Sequence, residues 1–130
     1  MKKLICLIVL LFLSVTCFAY TIKYLGTTKN APAALQGRYT ETAVSKNEGE
    51  TWIEGLSTQI KITEGSISIE SDEYTIEKVF KYKDDQGLFG YLVKLNGIPD
   101  DFEFWFLDEN TIMLIVHDGQ IESMRCRLTR

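Results

Sequence analysis

The chain has 130 residues, 14 basic and 18 acidic side chains, a formal net charge of −4 and one histidine. An acidic chain of this kind has no electrostatic attraction for nucleic acid or for an anionic membrane face. One histidine excludes a His-rich metal site, and no cofactor is implied.

Residues 1–19 have the three parts of a cleavable signal peptide. Lys2 and Lys3 form the basic head, 4–13 (LICLIVLLFL) is an unbroken apolar run, and Cys17-Phe18-Ala19 places small residues at −3 and −1 of a cut after Ala19. From Leu4 to Ala19 the segment is 16 residues, short of the ~20 that a helix needs to cross a bilayer core. The expectation is therefore export, to the periplasm or the medium. Acylation at Cys17 is the alternative, and only that route gives the protein a membrane anchor. Removal of 1–19 leaves 12 basic against 18 acidic residues, and of the three cysteines only Cys126 remains. No internal disulfide can then form, so stability must come from a packed sheet.

Residues 20–36 have weak periodicity and contain Pro32. They read as a lead-in segment with one helical turn near 33–36. From Gly37 the pattern is short β-type runs separated by Gly, Asn, Asp and Glu clusters. Strands are expected at 37–44, 58–63, 66–71, 74–83, 88–95, 102–107, 111–117 and 120–128. The connections, such as Asp84-Asp85-Gln86-Gly87 and Asp118-Gly119, are hairpin length. Successive hairpins without a helical crossover predict an all-β fold: one antiparallel up-and-down barrel of about eight strands over 37–130, with a sandwich as the alternative.

Alternation assigns the interior. Tyr39, Tyr74, Phe80, Tyr82, Phe89, Tyr91, Phe104 and Met124 take inward parity. That bulk predicts a packed interior or a shallow pocket. The run 112–116 (IMLIV) is apolar on both faces and needs an outer cover, either residues 20–36 or a second copy in a homodimer.

Leu35-Gln36-Gly37-Arg38-Tyr39 resembles the L-x-G-x-W/Y start of small bacterial lipocalin-like domains of the calycin group, with Tyr in place of the usual Trp. The resemblance spans Leu35 to Arg130. It implies that the first-strand aromatic pairs with a basic residue of the last strand. Arg130 has the parity to cap Tyr39 by a cation–π contact, and a solvated chain end is the other reading.

Four residues are candidates for ligand binding: Trp52, Lys78, Tyr39 and Tyr91. Trp52 lies in the longest inter-strand segment, and loop aromatics are frequent binding anchors. Lys78 has inward parity, which demands an anionic partner unless a β-bulge near 77–79 turns it out and Val79 in. Glu41 is a candidate partner for it. His117-Asp118 sits at a turn with no activated nucleophile beside it, and Cys126 lies on the inner face as a core thiol. The expected function is non-enzymatic binding of a small apolar or amphipathic molecule. The rival is an interaction module for an extracytoplasmic protein, with a filled barrel. The two are separated by the interior volume.

Overall fold

The computed structural model describes residues 22–130. The proposed signal peptide and Cys17 lie outside the described residues. Nine strands are present among them: β1 (Ile22–Thr28), β2 (Gly37–Ser45), β3 (Ile53–Ile62), β4 (Ser66–Ile69), β5 (Asp72–Asp84), β6 (Phe89–Leu95), β7 (Asp101–Phe106), β8 (Thr111–Asp118) and β9 (Ile121–Thr129). β2 to β9 form an antiparallel meander, and β9 pairs back onto β2 to close an eight-strand barrel. Closure removes most of the free edges that an open sheet of this size would carry.

The seam between β2 and β9 is tied by side chains as well. The Thr42 hydroxyl donates to the Arg127 carbonyl at 3.3 Å, and Arg127 Nε donates back to that hydroxyl at 3.1 Å.

The ninth strand is the one the sequence pattern does not reveal. β5 is 13 residues long, whereas β4 is four and stops pairing at Thr75. The uncovered stretch from Val79 to Asp84 is taken by β1, with Tyr24 opposite Tyr82. The lead-in is thus partly wall. It lies on the β5 side of the barrel and not over the outer face of β8, contrary to expectation. Met113 and Ile115 stay half-buried there, in register with Arg127 and Arg125 of β9. After β1 the chain crosses one end of the barrel. A turn at 32–36, with Leu35 N–H donating to the Pro32 carbonyl at 2.9 Å, drops Leu35 and Ala31 into the core.

A bulge at Glu77 sets the phase of β5. Ile76 pairs Leu95, but Lys78 pairs Lys94 and Val79 pairs Val93. Ile76 and Val79 are both buried in the core. One extra residue reverses the alternation. Phe80 and Tyr82 therefore lie on the outer wall, a correction to their expected inward placement, and Lys81 and Lys83 take the inward parity. The core between the two ends is filled by Tyr39, Phe104, Ile62, Ile112, Leu128, Val79 and Val93, together with Leu35.

Candidate functional site

Leu35, Gly37 and Tyr39 act as one unit at the end crossed by the lead-in. Tyr39 is 1% exposed, and its hydroxyl donates to the Leu35 carbonyl at 2.8 Å. The Arg130 guanidinium stacks 4.9 Å from the Tyr39 ring centre. It donates to the carbonyls of Ala34, Gln36 and Glu109, each at 3.2 Å. Gly37 has φ 152°, and a Cβ there would stand 2.7 Å from Arg130 Nη1. The glycine makes room for a guanidinium that three carbonyls hold in place. The spacing Leu35-x-Gly37-x-Tyr39 thus has a mechanical meaning: a plug, with the Arg130 cap that the resemblance implied.

Beside the plug lies an open pocket of about 240 Å³, whose lining includes Ala34, Leu88, Phe89, Tyr91, Phe106 and Leu107. Two of these residues, Phe89 and Tyr91, belong to a two-by-two block on the inner face of β5 and β6. Lys81 stands opposite Tyr91, and Lys83 opposite Phe89. Both ammonium groups sit over the Phe89 ring, at 5.0 and 5.4 Å from its centre. Tyr91 meets Phe106 edge-on at 6.0 Å. Burial pushes the Tyr91 phenol above its ordinary range, so it stays protonated as a donor. A second shallow pocket, of about 220 Å³, lies at the opposite end between Tyr74, Ile98 and Phe102.

The outer wall carries a different feature. Gly90 lies between Tyr82 of β5 and Trp105 of β7 in one cross-strand row. A Cβ on Gly90 would come 2.6 Å from the Trp105 ring, so the indole lies flat on the bare backbone. Its Nε1–H donates to Glu103, whose other oxygen is 2.6 Å from His117 Nε2. The pair fixes the indole at one side of a cleft of about 210 Å³ lined by Ile22, Tyr82, Tyr91, Leu92, Glu103 and Trp105. Alongside, β1 presents Ile22, Tyr24 and Leu25, all exposed, and Tyr24 packs on Tyr82 at 5.5 Å. Glycine inside an apolar strand is the signal that could have located this cleft, because it marks a close approach by another group.

The four candidate ligand residues do not converge. Tyr91 borders both the end pocket and the wall cleft. The ring, hydroxyl and π-face of Tyr39 are all committed to the plug. Lys78 is exposed on the outer wall because of the bulge at Glu77, so the inward orientation behind its ligand role is absent, as is any pairing with Glu41 across the interior. Trp52 is half-buried in the loop between β2 and β3. Its Nε1–H donates to the Gly49 carbonyl at 3.1 Å, and it packs beside Gly49 and Arg125 instead of standing at a mouth. Ser45 and Asn47 hold this loop through five hydrogen bonds to its own backbone and side chains.

Cys126 is buried, and burial first, then the facing Glu41 carboxylate, pushes its thiol far above the ordinary range. A thiol so protonated is a poor nucleophile.

No protein-family model, curated protein or solved structure matches this chain.

Proposed function

We propose that this is an exported, non-enzymatic interaction module of lipocalin-like type that binds an extracytoplasmic protein through its outer wall. The observation that carries the reading is a filled barrel with an open aromatic cleft on its outside. The interior is packed with large side chains, and the described pockets, at 210–250 Å³, fall below the ~300 Å³ at which clefts begin to enclose drug-sized ligands. The wall cleft is sized for one anchoring side chain instead, and buried aromatic anchors carry most of the energy in protein interfaces.

The partner envisaged presents an apolar or aromatic side chain to the gap between Tyr82 and Trp105, with β1 as the flank of the contact. It docks on a face and not by adding a strand. β1 carries a bulge at Leu25 and a lysine at Lys23, both of which discourage edge pairing. Export rests on the basic head and apolar run of residues 1–19. The lipocalin-like affinity rests on the Leu35-x-Gly37-x-Tyr39 plug with its Arg130 cap. The non-enzymatic reading is supported by a histidine engaged with Glu103 and a buried, protonated cysteine.

The test is a photo-crosslinking amino acid at Tyr82, in cells that make the protein, with a control at Lys61 on β3. A discrete protein adduct at Tyr82, absent at Lys61 and lost when Trp105→Ala is added, is the expected result. Equal labelling at both positions, or none at Tyr82, overturns the reading.

A small-molecule reading keeps one specific support, the aromatic lining that Phe89, Tyr91 and Phe106 give the end pocket.

A further inference from the structure

We propose that the end of the barrel opposite the plug docks a basic amphipathic peptide segment, which sets one apolar side chain between Tyr74, Ile98 and Phe102 and a cation beside Asp100. The site shares no lining residue with the outer-wall cleft, and each stands or falls alone.

Cover is the first argument. The lead-in crosses the plugged end, where Leu35 and Ala31 drop into the core. The other end receives the β2–β3 loop and the turns that join β4 to β5, β6 to β7 and β8 to β9. Ile69, Tyr74, Ile98 and Phe102 pack there on the buried core but stay half-buried themselves. With Leu95 and Asp100 they line a pocket of about 220 Å³. A cavity of about 150 Å³ holds a benzene ring, so this one has room for a single Phe or Leu side chain. The filled core stops anything deeper.

Charge then selects the occupant. Asp100 is the only charged residue of the lining. It is half-buried, and it belongs to none of the four ion pairs among the described residues. Across the pocket, Asp72 and Glu73 precede Tyr74 and are exposed, while Glu70 follows Ile69 and accepts the Gln59 N–H at 2.7 Å. The nearby cations of the outer wall are placed elsewhere. Lys94 pairs with Asp101 at 2.6 Å, and Lys78 lies over the Phe80 ring, 5.9 Å from its centre. Lys46, in the β2–β3 loop, is the one basic residue in the four connections at this end. An apolar seat with a rim of one sign favours a partner that is apolar at its tip and cationic beside it.

The layout favours a peptide over a lone amine. The acids stand on two separate turns, at 70–73 and at Asp100, with the apolar lining between them. An apolar residue flanked by two basic ones matches that order.

The experiment is a heteronuclear NMR titration of the purified protein with three acetylated and amidated tripeptides, Lys-Phe-Lys, Lys-Gly-Lys and Glu-Phe-Glu. Lys-Phe-Lys should shift the amides of Ile69, Tyr74, Ile98 and Phe102, and bind roughly tenfold more tightly than either of the others. Asp100→Asn should weaken Lys-Phe-Lys roughly threefold and leave Glu-Phe-Glu no weaker. Equal binding of Lys-Phe-Lys and Glu-Phe-Glu by the unaltered protein overturns the proposal, because charge then selects nothing. Equal binding of Lys-Phe-Lys and Lys-Gly-Lys also overturns it, because the pocket is then unused. So does an absence of binding at millimolar concentration, or an Asp100→Asn variant that binds all three peptides as the unaltered protein does. Shifts that map to the Gly90–Trp105 wall or to the plugged end overturn it as well.

Discussion

The Arg130 guanidinium stands 4.9 Å from the centre of the Tyr39 ring, and both residues are also bonded to the same crossing segment, Tyr39 at Leu35 and Arg130 at Ala34 and Gln36. The plug is thus a three-part assembly: the start of β2, the residue after β9, and the chain that crosses between β1 and β2. Arg130→Met should lower the unfolding free energy by about 1–2 kcal/mol, from a partly exposed cation–π contact and hydrogen bonds to carbonyls. Tyr39→Phe should cost about 1 kcal/mol by leaving the Leu35 carbonyl unpaired. Urea unfolding of Tyr39→Leu, Arg130→Met and the double variant should show a coupling of roughly 0.5–1 kcal/mol. Strict additivity would mean that Arg130 is simply solvated.

Gly90→Ala tests the outer wall. The added methyl would lie 2.6 Å from the indole, so Trp105 must move off the strand. Destabilisation of about 1–3 kcal/mol is expected, with a red shift of tryptophan emission as the indole leaves its half-buried seat. The same substitution at Gly65, where a Cβ meets nothing within 4 Å, serves as the control. An unchanged spectrum in Gly90→Ala would contradict the packing.

Lys78→Met distinguishes the two phases of β5. With Lys78 on the exposed wall, its replacement should change stability by no more than about 0.5 kcal/mol. Val79→Ala, by contrast, removes a fully buried side chain and should cost roughly 1–3 kcal/mol. The opposite ranking would place the bulge elsewhere.

Alkaline pH should destabilise the fold. Cys126, Tyr39 and Tyr91 all have acid constants raised in the folded chain, with burial the leading cause in each. Unfolded, the thiol ionises near its ordinary value of 9.0 and the phenols near 10.0. Above pH 9 the unfolded chain therefore releases protons that the folded chain keeps, and stability falls as pH rises. Below about pH 8 these three groups contribute almost no slope. The urea midpoint, followed from pH 8 to 11, should bend downward above 9, and Cys126→Ala should flatten the first part of the bend. Native Cys126 should also resist a thiol reagent until the protein unfolds.

Most of the barrel is legible in the sequence because each hairpin advertises itself locally. Turn clusters such as Asp118-Gly119 set the strand limits, and alternation along β7 and β9 puts Phe104, Cys126 and Leu128 inside, where they are. What escapes is non-local. β1 has little periodicity of its own and forms because β5 outruns β4, a difference in length visible only once the register is known. The phase of β5 turns on one residue, Glu77, and parity alone cannot say which side of a bulge a lysine takes. Phe80 and Tyr82 followed that error onto the wrong face. The inward parity of Lys81 and Lys83 was hidden for the same reason, since it follows the bulge. Gly90, a glycine inside the apolar run of β6, is the one legible clue to the wall cleft.

The seam between β2 and β9 also governs how the molecule comes to be folded. Thr42 and Arg127, which bond across it, are 85 residues apart in the chain, whereas every other barrel pairing joins neighbours in sequence. Hairpins of this kind form in microseconds, but the closing step carries the loop entropy of nearly the whole domain, and such topologies fold slowly. Until β9 arrives, the meander is an open sheet with two long bare margins, each able to capture another chain. A lesion at the seam would accordingly show itself as aggregation during refolding before it appeared as a lowered melting point.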